Sequence, residues 1–168
     1  TDNHSNDDTE NIIKDICKND KFVKYLRFKN NVGYDKSIME GYKNSTGEAA
    51  IVIDCDLQDP VEIIKKFIIE WEKGYDLVYG IRIKRSENFF LTFLRKNFYL
   101  LMNSKSLNHY PVDAGDFRII DREIINQFQN DNSLFPYMRG ISFSFSRNPK
   151  GINYNRHERK KGSSKLGL

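Results

Sequence analysis

Ala49-Ala50-Ile51-Val52-Ile53-Asp54-Cys55-Asp56-Leu57-Gln58-Asp59-Pro60 is the stretch whose reading decides the fold. Ala49 to Asp54 is a continuous apolar run, the pattern of a strand buried on both faces of a mostly parallel sheet. It stops on two aspartates one residue apart, and Pro60 then starts a helix through Glu70. Carboxylates at the C-terminal edge of such a sheet lie where α/β proteins bind ligands. Two of them with an amide two residues on, Gln58, supply the hard oxygen ligands that Mg²⁺ or Mn²⁺ takes beside a diphosphate.

The flanking sequence repeats the alternation of helix and strand that an α/β sheet requires. Upstream, Ile12, Ile13 and Ile16 have helical spacing, Phe22 to Phe28 alternates like a short strand, and Asp35 to Tyr42 is helical again. Downstream, Asp76 to Gly80 reads as a buried strand, Phe117 to Ile120 as another, Arg122 begins a helix, and a last strand is expected near Ile141 to Phe145. Asn88 to Asn103 is aromatic and apolar, broken only by Arg95 and Lys96. It suits an amphipathic helix on a core or on a membrane surface.

Composition sets the class. With 168 residues, 39% hydrophobic and 30% charged, the chain has the makings of one globular domain and not of a disordered tail. The net charge of +4 comes largely from Arg156, Arg159, Lys160, Lys161 and Lys165, which points to an anionic partner. The basic residues are confined to one end and no RNA-binding motif is present, so nucleic acid is not the expected partner. No apolar run approaches the roughly 20 residues that span a bilayer, and no secretory leader opens the chain. Cys17 and Cys55 have no metal-ligand spacing and read as reduced, buried thiols of a cytosolic compartment.

Six segments, taken in order, resemble polyprenyl-phosphate glycosyltransferases of family 2, the group of dolichyl-phosphate mannose synthase and the bactoprenol glucosyltransferases. Asp54-Cys55-Asp56-Leu57-Gln58-Asp59-Pro60 is similar to their metal-binding D-x-D-L-Q-D-P. Asp2 to Thr9 resembles D-D-G-S-x-D-x-T, with Asn3 and His4 in place of an aspartate and a glycine. Asn31-Val32-Gly33 resembles the R-N-x-G turn, with Asn30 where arginine is usual, and Asp76 to Arg82 matches the strand leading to G-x-R. Asp113 to Arg118 resembles D-x-G-D-F-R. Tyr154 to Lys165 resembles Y-x-R-x-x-R-x-x-G-x-S-K, followed by Leu166 where tyrosine is usual.

The resemblance implies an A-type glycosyltransferase fold, Rossmann-like, in which one domain holds a mixed, mostly parallel sheet between helices. It implies inverting transfer of a hexose from a nucleoside-diphosphate sugar to a polyprenyl phosphate at the cytoplasmic membrane face. Asp54, Asp56 and Gln58 would hold Mg²⁺ or Mn²⁺. Asp2, Asp54, Arg156, Arg159 and Lys165 would bind the donor, Arg82 and Arg95 the acceptor phosphate. Asp113 and Asp116, on a loop after the aromatic helix, would orient sugar and acceptor, with Arg118 bracing that loop. The family also opens with a strand bearing P-x-Y-N-E and ends in membrane helices, and both are expected outside residues 1–168. Assembly into a homo-oligomer stays open. Two rivals accompany this reading. One is transfer to a sugar hydroxyl of a polysaccharide or lipopolysaccharide, which would need a carboxylate base. The other is a non-catalytic anion-binding module, which would bind without a metal or a nucleotide sugar.

Overall fold

The computed structural model describes residues 1–83, 114–129 and 136–157. Arg95, Asp113, Arg159, Lys165 and the aromatic segment from Asn88 lie outside the described residues. Among the described residues four strands form one sheet: β1 (Ala49–Val52), β2 (Leu77–Arg82), β3 (Ala114–Asp121) and β4 (Pro149–Tyr154), in the order β1-β3-β2-β4. β2 and β4 pair parallel, whereas β3 is antiparallel to both β1 and β2. Three strands therefore run one way and the reversed β3 lies between two of them. The sheet is mixed as expected, with three strands sharing one direction, but the two pairings that β3 makes are antiparallel, and β1, expected to be buried on both faces, is half-buried.

Alternation along the strands divides the core. Leu77, Tyr79 and Ile120 face one cluster with Met39, Ile124, Ile125, Phe128, Met138 and Phe143. These come from α2 (Tyr34–Lys43), α4 (Arg122–Phe128) and α5 (Met138–Phe145). Val78, Phe117 and Ile119 face the other cluster, built on Ile63 and Phe67 of α3 (Glu62–Glu72). A side-chain period of two puts neighbours on opposite faces, and helices cover both. Phe67 and Phe117 meet at 4.7 Å between ring centroids, and Phe117 meets the ring of Tyr154 at 5.7 Å. α1 (Thr9–Asn19) buries no residue and leaves Ile12 and Ile16 exposed.

Three local expectations are corrected. Ile141 to Phe145 is not a strand but the second half of α5. Its alternating Ser142 and Ser144 donate their hydroxyls to the carbonyls of Met138 and Ile141, so a polar residue enters the core with its hydrogen bond already made. The last strand is instead Pro149–Tyr154, held beside β2 by Asp76. That carboxylate accepts from Ser146 Oγ at 2.5 Å and from the amides of Arg147 and Asn148 at 2.7 and 3.1 Å. Phe22 to Phe28 makes only an isolated bridge, Asp2 with Arg27. Among the described residues no helix is long and apolar enough to cross a membrane.

Candidate active site

The C-terminal ends of β1, β2 and β4 emerge on one edge of the sheet, where the reversed β3 begins. β1 delivers Asp54, β2 ends on Arg82, β4 ends on Tyr154 opposite Arg82 and delivers Arg156. The chain then turns through Asp56 to Asp59. Leu57 sits in left-handed backbone at φ 59° with its side chain exposed, and this turn lets the Gln58 amide donate to Asp56 Oδ1 at 3.1 Å. A non-glycine residue in that conformation is uncommon and concentrates at functional sites.

Arg156 ties the loop together. Its Nη2 lies 3.6 Å from Asp54 Oδ2 and 3.5 Å from Asp56 Oδ2, and its Nε donates to Asp59 Oδ1 at 3.2 Å. Asp59 is only 3% exposed and accepts a second bond from the Tyr154 hydroxyl at 2.6 Å. Arg82 Nε donates to that same hydroxyl oxygen at 3.3 Å. Burial first, and then the bond to Asp59, push the Tyr154 phenol up to about 12, so it stays a donor at neutral pH. The close approach depends on Gly80: a Cβ there would stand 2.5 Å from Cε1 of Tyr154. Gln58 donates its side-chain amide to the carbonyl of His157 at 3.2 Å, and the His157 amide returns a bond to Gln58 O at 2.8 Å. The D-x-D-L-Q-D-P loop and the start of the basic tail thus form one unit.

Asp54 lies in a crowded, partly buried setting. Burial pushes its carboxyl above the ordinary aspartate value, the neighbouring Asp59 and Asp56 push the same way, and Tyr34 and Arg156 only partly offset them. Tyr34, the first residue of α2, donates its hydroxyl to Asp54 Oδ1 at 2.9 Å. Its phenol is raised by desolvation, then by Asp116 and Asp54, so both carboxylates bear on one hydroxyl. Asp116 lies within β3 and not on a loop, correcting the expectation: the strand starts two residues earlier, at Ala114. Arg118 Nη2 holds Asp116 Oδ1 at 2.6 Å, and Arg139 Nε approaches the same oxygen at 3.4 Å. Arg118 is 2% exposed, and its role as a brace for Asp116 is what the structure shows.

Asp2 belongs to a separate locus. It is buried, accepts from the Tyr25 hydroxyl at 2.5 Å and the Ser5 amide at 2.8 Å, and faces Arg27 at 3.6 Å. Hydrogen bonds from Ser5 and then Tyr25 hold its carboxyl at about 2. His4 adopts φ 68°, the left-handed geometry that the glycine of the resembled motif would supply. Asn3 accepts from the Val32 amide at 2.8 Å and donates to Asn31 at 2.9 Å, which ties this segment to the turn before α2. A groove of about 880 Å³ runs between this locus, α2 and β1, with Tyr25, Tyr34, Ser37 and Ile53 in its wall. The thiols are corrected as well: Cys17 is half-buried and Cys55 is exposed beside the aspartates.

Sequence reading brought Asp54, Asp56, Gln58, Arg82 and Arg156 to one edge, and the structure does so too. It assigned no role to Asp59, Tyr154, Tyr34 or Arg139. Asp59 and Tyr154 stood inside quoted motifs, so their signal was present. Nothing local marks Tyr34 or Arg139, whose partners are distant in sequence.

Comparison with known proteins bears out the family resemblance. Residues 1–129 match the model for glycosyl transferase family 2. The chain belongs to that family. It is 34% identical over 98% of its length to the uncharacterized glycosyltransferase YkcC of Bacillus subtilis (strain 168), covering 51% of that protein. It is 35% identical over 96% of its length to the bactoprenol glucosyl transferase of Shigella phage SfX, covering 53%. The prophage bactoprenol glucosyl transferase homolog of Escherichia coli (strain K12) is 34% identical over the same shares. The chain spans about half the length of these curated relatives. For this family 2 chain the A-type glycosyltransferase architecture and the mixed sheet agree.

Among the described residues no three His, Cys, Asp or Glu side chains form a ready metal cage. Mg²⁺ ordinarily takes only one or two carboxylates and completes its shell with water and substrate phosphate. Asp54 and Asp56, whose Oδ2 atoms converge on a single cationic nitrogen, fit that demand.

Proposed function

We propose that this family 2 domain transfers a hexose from a nucleoside-diphosphate sugar to a polyprenyl phosphate at the cytoplasmic membrane face, with inversion. One observation carries the reading. Asp54, Asp56, Arg82 and Arg156 gather at one sheet edge in a chain whose relatives include bactoprenol glucosyl transferases. Asp54 and Asp56, with Gln58 beside them, would hold Mg²⁺ or Mn²⁺, which offsets charge on the departing diphosphate. Arg156 carries the paired donors that suit phosphate, and Arg159 and Lys165 would extend its reach. Arg82, oriented by Tyr154, meets the acceptor phosphate together with Arg95. Asp116, fixed by Arg118 and Arg139, orients the sugar with Asp113. A phosphate acceptor is already ionised at neutral pH, so positioning and electrostatics bear more of the work than a strong base. Asp2, whose oxygens are taken up by Ser5, Tyr25 and Arg27, anchors the segment that Asn3 ties to the turn before α2.

The test is an assay of full-length protein against polyprenyl phosphate and against the dephosphorylated polyprenol. Wild type should use the phosphate and not the alcohol. Arg82→Ala should lose roughly tenfold to a hundredfold in acceptor affinity, the scale of one charge-assisted contact, with donor affinity nearly unchanged. Equal use of the alcohol would replace this reading with transfer to a sugar hydroxyl.

A further inference from the structure

Arg156 approaches both carboxylates proposed to hold the metal. A single nitrogen, Nη2, lies 3.6 Å from Asp54 and 3.5 Å from Asp56, the two carboxylates that fit a divalent ion, and Nε is bonded to the buried Asp59. Three carboxylates crowd one loop, and Arg156 brings positive charge to all three. A divalent ion held by Asp54 and Asp56 would bring a second positive charge beside that nitrogen, and the repulsion between the two favours release of the guanidinium. Arginine in turn leaves only for another anion able to engage its fork in paired bonds, and a diphosphate is such an anion.

We propose that Arg156 is the resident counter-cation of the Asp54/Asp56 pair and yields the site to the metal only when a diphosphate takes over its guanidinium. This rests on the metal assignment above and goes beyond it. Metal and nucleoside diphosphate then bind as a coupled pair, each raising the affinity of the other, as linkage requires. The metal alone is held weakly. Specificity follows, since a ligand with one phosphate offers less to the fork and releases the metal site less well. The Asp59 bond to Nε is the hinge: it keeps the arginine tethered to the loop while Nη2 swings between partners.

The exchange makes opposite predictions for one variant. In full-length protein, Arg156→Gln should bind Mn²⁺ alone about tenfold more tightly than wild type, because the competing cation is gone. With Mn²⁺ saturating, the same variant should bind UDP or GDP about tenfold more weakly, having lost the phosphate contact. Manganese affinity is read by paramagnetic resonance of the free ion, and nucleotide affinity by calorimetry. Arg156→Lys keeps the charge without the fork and should lie between the two on both measures, which guards against a Gln variant that folds poorly. Arg156→Gln that binds Mn²⁺ alone no better than wild type overturns the exchange, provided Asp56→Ala still abolishes Mn²⁺ binding. If Asp56→Ala leaves Mn²⁺ binding intact, the metal assignment itself fails.

Discussion

Asp2 and Asp54 each accept a hydrogen bond from a tyrosine hydroxyl, at 2.5 Å from Tyr25 and 2.9 Å from Tyr34, and each faces an arginine at 3.6 Å. The more deeply buried of the two, Asp2, has its carboxyl held at about 2, whereas that of Asp54 is pushed above its usual value. Burial alone cannot account for this, since it pushes both upward. At Asp2 hydrogen bonds outweigh burial, whereas at Asp54 burial is the largest influence and the neighbouring carboxylates add to it. Asp2 gains bonds from Ser5 as well as Tyr25, while Asp54 has Asp59 and Asp56 beside it, which share Arg156 with it. A carboxylate whose oxygens are satisfied by fixed donors is a structural anchor. One that competes with its neighbours for positive charge is poised to take a cation from outside.

Removing the crowding breaks the comparison most severely. Asp56→Ala should keep the fold, because the residue lies beyond the end of β1, yet it should cost about a hundredfold or more in metal-dependent nucleoside-diphosphate affinity. Calorimetry with Mn²⁺ and several nucleoside diphosphates, beside a circular dichroism spectrum, checks both halves.

Asp2→Ala should do the reverse, lowering stability by about 2 to 3 kcal/mol through the loss of hydrogen bonds to a charged group. The effect should depend on pH in a stated direction. The folded carboxyl titrates at about 2 against an ordinary 3.8, so its stabilisation is complete above about 4 and is lost as pH falls toward 2. Urea titrations across that window should show wild type and variant converging at the acid end.

The remaining two variants sharpen the comparison. Gly80→Ala places a methyl against the Tyr154 ring and should destabilise by about 1 to 3 kcal/mol. Because Tyr154 links Asp59 and Arg82, nucleotide binding should weaken with it, a loss that Asp2→Ala would not predict. Tyr34→Phe removes one bond to Asp54 and should lower Mn²⁺ affinity by less than about tenfold, with thermal stability almost unchanged.

Most local patterns were read well and one was not, whereas partners distant in sequence were out of reach. The run from Ala49 ends in carboxylates where expected, and the left-handed His4 occupies the position of a motif glycine. The helix at Ile141 to Phe145 was misread because alternating serines look like a strand when their hydroxyl bonds to the preceding turn are out of view. Pro149–Tyr154 was missed because little in it is apolar. What fixes it is its parallel pairing with β2 and the Asp76 carboxylate some seventy residues away.

By itself the sequence determined the alternation of helices and strands, the carboxylate loop after β1 and the family to which the chain belongs, because periodicity and motif spacing are local properties. Only the tertiary structure decided that β3 runs against its neighbours, that Tyr34 reaches Asp54, and that Arg156 rests between Asp54 and Asp56. Those depend on strands and loops separated by up to a hundred residues meeting at one sheet edge, where burial and mutual repulsion, neither of them written in any single segment, set which charges are satisfied and which are left to be matched by a ligand.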